Sequence, residues 1–204
     1  LPAWNPSREV PMPDLAGIKA EAKRLLREGI VDVVLAFKAA DSPLHPQPAF
    51  FRSEDEIDQL IYNGLCANNL ARYLTRLPKQ TKLAVVARGC ETRSVNALIV
   101  EAQKKREDLF LIGVPCEGII DWRRIVENTG EEVISVVEQS GGAILVESKA
   151  GSFTFEKSAL LHESCSRCIH PNPLSADVVI GEARPEGDPA LARKEVVDFA
   201  ALPM

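Results

Sequence analysis

The chain has 204 residues with 46% hydrophobic side chains, enough apolar material for one large domain or two small ones without disulfide staples. Its net charge of −5 argues against nucleic-acid binding, which needs a cationic face. No apolar run approaches the roughly 20 residues of a membrane span and no export signal is visible, so a cytoplasmic protein is expected.

Residues 1–13, with Pro2, Pro6, Pro11 and Pro13, read as an extended arm. Asp14 can cap a helix to about residue 28, with Leu15, Ile18, Ala22, Leu25 and Leu26 on one face and Gly29 as its stop. Residues 31–37 read as a buried strand. Three prolines over 40–50 predict a loop. Ser53 opens a short acidic helix to about residue 61, and the spacing of Leu70, Tyr73, Leu74 and Leu77 predicts a helix over 66–77, ended by Pro78. The acidic stretch 53–58 is read as a solvated face.

The clearest unit follows. Residues 82–87 form a strand, 88–93 a turn, 94–105 an amphipathic helix, 109–114 a second strand and 115–118 a second turn. A β-α-β crossover of this kind makes the strands parallel. After a short helix over 121–128, three apolar or alternating runs within 132–155, separated by glycines, predict an antiparallel meander. Residues 177–181 are a last extended piece. The expected fold class is α/β: a mixed sheet with a parallel β-α-β unit plus a small antiparallel meander. Residues 182–204 read as an arm or linker.

The five cysteines are the most informative residues. An odd number without an export signal favours metal or thiol chemistry over disulfides. Cys90 and Cys116 lie just past the ends of the two parallel strands, where α/β sheets bind ligands. Gly89 and Gly118 let backbone amides approach a bound group there. Cys165 and Cys168 form a Cys-x-x-Cys turn before Pro171 and Pro173. These four thiolates are the usual complement of a [4Fe–4S] cluster. The same Cys-x-x-Cys also suits a zinc half-site or a dithiol. Cys66, at an expected helix start, is equally a packed small hydrophobe or an alternative ligand. His162 and His170 read first as solvated. Arg88 and Arg93 can be solvated, balance cluster charge, or meet a flavin or nucleotide phosphate. Nothing resembles a nucleophile elbow or a His-Glu-x-x-His helix, so no catalytic acid, base or nucleophile is assigned.

The runs Arg88-Gly-Cys-Glu-Thr-Arg93, Gly113-Val-Pro-Cys-Glu-Gly118 and Leu65-Cys-Ala-Asn-Asn-Leu70, with the Cys-x-x-Cys and Asp177-Val-Val-Ile-Gly181, resemble the beta-subunit family of coenzyme F420 hydrogenases and dehydrogenases. The likeness is to ferredoxin-linked members found with heterodisulfide-reductase, hydrogenase and formate-dehydrogenase systems, and it covers roughly residues 28–182. It implies an iron–sulfur domain over 14–181 in a hetero-oligomer. This would be a non-catalytic or accessory redox subunit of anaerobic metabolism, passing electrons to or from ferredoxin-like, hydrogenase, dehydrogenase or heterodisulfide-reductase subunits. Some relatives bind a flavin and reduce coenzyme F420. FAD on Arg88, Gly89, Arg93 and Gly118 is therefore the alternative, although no glycine-rich dinucleotide fingerprint follows a strand. A zinc-stabilised assembly domain is the third reading.

Overall fold

The computed structural model describes residues 14–200 apart from 79 and 140; the expected arm over 1–13 and the end of the chain from 201 lie outside the described residues. Helix α1 (Leu15–Arg27) starts where the sequence places it, because the Asp14 carboxylate accepts from the Gly17 amide at 2.7 Å. It buries Ile18, Ala22 and Leu25, one stripe at helical spacing, against the main sheet.

Strand β1 (Val33–Lys38) is buried on both faces, hence its unbroken apolar run. Residues 40–50 are not all loop. Strand β2 (Gln47–Phe51) pairs antiparallel with β1. Pro48 is compatible with this because β2 lies at the sheet edge, where a missing N–H leaves no ladder bond unmade. The acidic helix is shorter than expected: α2 (Glu54–Ile57) gives way to β3 (Leu60–Ile61), a second antiparallel partner of β1. The helix expected over 66–77 is a 3₁₀ helix at Leu70–Arg76. Asn69 caps it through its side chain, so Cys66 stays in the preceding loop.

The β-α-β unit is present as β4 (Leu83–Ala87), α3 (Gly89–Val100) and β5 (Leu109–Gly113), with β4 and β5 paired directly and in parallel. After α4 (Trp122–Thr129) come β6 (Val133–Glu138), β7 (Ala143–Ser148) and β8 (Gly151–Glu156), the antiparallel meander. Short helices α5 (Lys157–Leu160) and α6 (Glu163–Ser166) lead to β9 (Val178–Val179), which adds in parallel to β5. The tail carries α7 (Pro189–Ala200).

The main sheet therefore runs β2-β1-β4-β5-β9, with β1, β4, β5 and β9 parallel. Its core is Val and Leu from β1, β4 and β5 beneath α1, the 3₁₀ helix and Val95 of α3. A second, smaller core joins Leu44, Leu65 and Ile120 to Ile125 of α4 and to Ile144 and Val146, the inward positions of β7. The meander is thus packed beside the carboxyl ends of the parallel strands. Among the described residues no helix is long and apolar enough to cross a membrane.

A four-thiol cavity as candidate functional site

Cys90 is not in a turn but in the first turn of α3. The helix starts at Gly89, five residues earlier than its amphipathic pattern suggests, because Glu91 reaches back to its N-terminus. Its carboxylate accepts from the Arg88 amide and from Arg88 Nε, both at 2.9 Å. Cys90 thereby sits in the first turn, at the electropositive end of the helix.

Cys116 stands past the end of β5. Its amide donates to Pro171 O at 2.9 Å, and its Sγ accepts from the Gly118 amide at 3.3 Å. Gly118 has φ +96°, and a Cβ there would lie 2.8 Å from Leu161 and 3.4 Å from the Cys165 Cβ. Glycine is needed for this positive φ, and it leaves room for the Leu161 side chain. Cys165 lies in α6, and the Cys168 amide closes the Cys-x-x-Cys turn onto Cys165 O at 3.2 Å. Gly89 is packed as tightly. A Cβ on it would sit 2.4 Å from His170 O and 2.6 Å from Asn172 O, so the Cys90 helix abuts the loop that follows Cys168.

The result is one cavity of about 470 Å³ lined by Cys90, Cys116, Cys165 and Cys168 together. Among the described residues, no three His, Cys, Asp or Glu side chains converge closely enough to hold one metal ion. Burial raises the thiol pKa of both Cys90 and Cys116, with Arg88 pulling each back down. Cys66 does not reach this cavity. It is fully buried in the main core, hydrogen-bonded with Asn63, and burial pushes its thiol up to about 12.

The basic residues divide. Arg88 is buried and turned inward: Nε and Nη2 donate to Glu91, and Nη1 and Nη2 to the carbonyls of Cys66 and Asn68. Arg93 donates to Gly89 O at 2.8 Å. His170 borders the cavity with Nδ1 3.2 Å from Glu186, whereas His162 Nδ1 stands 3.6 Å from Asp121.

Sequence reasoning missed an ion network on the cavity wall. Lys157, buried, pairs with Glu117 at 3.0 Å and with Glu138, and Glu117 also pairs with Arg184. Glu138 further accepts from the Gly64 amide at 3.1 Å. The network ties the Cys116 turn to the meander and to the tail. Residues 184–187, expected to belong to an arm, lie on the cysteine loop. Arg184 and Asn172 exchange two hydrogen bonds of 2.7 Å, and Gly187 donates to Ile169 O. Only the adjacency of Glu117 to Cys116 hinted at any of this in the sequence.

Fold and site define a mixed α/β domain that gathers four thiols at the carboxyl edge of its parallel strands. Residues 18–65 match the family described as coenzyme F420 hydrogenase/dehydrogenase, beta subunit N-term. The F420-dependent formate dehydrogenase 1 subunit beta of Methanococcus maripaludis is 24% identical over 181 residues, 80% of this chain and 46% of the relative. The F420-dependent formate dehydrogenase subunit beta of Methanocaldococcus jannaschii is 26% identical over 178 residues, 80% of this chain and 47% of the relative. The fold is that of a chain in the F420-reducing [NiFe] hydrogenase complex from Methanosarcina barkeri, with a TM-score of 0.59, 17% identity, and coverage of 76% of this chain and 59% of that one. In agreement with its motifs, the chain is similar to beta subunits of the coenzyme F420 hydrogenase/dehydrogenase type. It spans about half the length of the curated relatives it matches.

Proposed function

We propose that this chain is an iron–sulfur electron-transfer part of an oxidoreductase complex, holding a [4Fe–4S] cluster on Cys90, Cys116, Cys165 and Cys168. The observation that carries the reading is the shared cavity: three separate segments of sequence contribute all four cysteines to its lining. A cubane takes one thiolate per iron, so its ligands surround a volume instead of meeting at a point. That requirement fits four thiols around an open cavity better than it fits a closed tetrahedral zinc site. Bound there, such a cluster supplies one-electron transfer. The chain's own residues do the rest. The N-terminus of α3 and the Gly118 amide oppose the negative charge of the thiolates. The Lys157–Glu117–Arg184 network fixes the Cys116 turn. Redox subunits of the kind named among the relatives would be the donors and acceptors.

The relatives' dependence on coenzyme F420 supports a second reading, a flavin site. Against Arg88 and Gly89 as its phosphate cradle stand the turning of Arg88 onto Glu91 and two carbonyls and the packing of Gly89 on the 170–172 loop; Arg93, which donates to Gly89 O, and Gly118, which lines the cavity, are the residues left to it.

Anaerobic purification with iron, acid-labile sulfide and flavin assays separates the readings. We expect iron with sulfide, an EPR signal on dithionite reduction, and loss of both in Cys116→Ser but not in Cys66→Ser. Zinc alone in the purified protein would overturn the proposal, as would full iron in Cys116→Ser.

A further inference from the structure

Tyr62 packs in the main core with only 8% of its surface exposed, and its Oη is buried without a hydrogen-bond partner among the described residues. Buried hydroxyls are satisfied by protein or by ordered water in the great majority of cases. A small cavity of about 20 Å³ borders this side chain, lined also by Arg88, Cys116, Glu117, Gly118 and Lys157. The turn carrying Cys116 thus has the four-thiol cavity on one side and this small one on another.

We propose that Tyr62 is a positioning residue for Cys116: its hydroxyl donates to one water in the small cavity, and that water donates to Cys116 Sγ. This rests on the reading of Cys116 as a cluster ligand. A cavity must offer roughly 10–15 Å³ and at least two polar partners to hold a water, and this one meets both conditions. Arg88 does not bond the Tyr62 hydroxyl: four of its five guanidinium N–H groups donate to Glu91 or to the carbonyls of Cys66 and Asn68, and the hydroxyl has no partner among the described residues. The Gly118 amide already supplies one donor to the sulfur, and the water supplies a second from the core side. A hydrogen bond donated to a ligand sulfur stabilises the reduced, more negative cluster and so raises its reduction potential. Tyrosine is selected over phenylalanine at this position because the hydroxyl completes that chain of donors.

The test compares the anaerobically purified full chain with its Tyr62→Phe variant. The variant is expected to keep its iron and sulfide content while its midpoint potential falls below that of the parent. An unchanged potential at full cluster content overturns the proposal. If the variant does not fold, a crystal structure of the parent decides: water density within hydrogen-bonding distance of both Tyr62 Oη and Cys116 Sγ supports it, and its absence from well-defined density overturns it. A parent chain without iron sinks the cluster reading instead, and the same crystal structure still decides whether Tyr62 reaches Cys116 through a water.

Discussion

The pair Arg88–Glu91 is the joint on which the Cys90 helix turns, and Glu91→Ala tests it. Glu91 is fully buried and accepts four hydrogen bonds: from the Arg88 amide, Nε and Nη2, and from the Leu70 amide at 2.9 Å. Truncation leaves a guanidinium of 3% exposure without its counter-ion, a change that costs about 3–5 kcal/mol in buried pairs. It also orphans two backbone N–H groups, at about 1–3 kcal/mol each before any water enters. Allowing for water entry, we expect a loss of about 5 kcal/mol, a large part of the roughly 5–15 kcal/mol that holds a domain folded. With a urea m value of about 2 kcal/mol/M, the unfolding midpoint falls by about 2.5 M. The double change Arg88→Met with Glu91→Leu recovers only the part due to the unpaired guanidinium, because the Arg88 and Leu70 amides and the Cys66 and Asn68 carbonyls stay without their partners. A loss below about 1 kcal/mol in Glu91→Ala would refute the reasoning, for it would mean that water already reaches the pair.

Two further outcomes are expected. Gly89→Ala drives a methyl into the carbonyls of His170 and Asn172, both backbone groups, so stability falls by about 1–3 kcal/mol and iron content falls with it; full iron in this variant would contradict the close approach. Cys66, whose thiol is raised by burial from 9.0 to about 12, favours folding while it stays protonated. Its contribution is complete below about pH 9 and fades as the pH climbs from there toward 12, because the unfolded thiol ionises first. Cys66→Ala should flatten that alkaline decline in denaturation midpoints measured on the metal-free chain.

Much of this architecture is written in local pattern. The unbroken apolar runs of β1, β4 and β5 announce strands buried on both faces, and Asp14 marks the start of α1. Strand-end cysteines and a Cys-x-x-Cys were enough to single out four thiols, and the structure brings those four to one cavity. What local pattern could not give depends on distant partners. The helical spacing over 66–77 yields to a 3₁₀ turn once Asn69 caps it, and Glu91 draws the start of α3 forward through Arg88 and Leu70. Pro48 looks like a loop residue until the edge of a sheet is known. Lys157, Glu117 and Glu138 go unremarked because nothing nearby in sequence reveals that the end of the meander meets the Cys116 turn.

The topology also dictates an order of events during synthesis. A nascent chain leaving the ribosome presents Cys90 and Cys116 first, beside a β5 edge that has no partner until Val178 and Val179 emerge. Cys165 and Cys168 arrive between these stages, and the 184–187 segment seals them last. The four thiols therefore come together only after Val179 has emerged, so the cavity cannot be complete before β9 docks on β5.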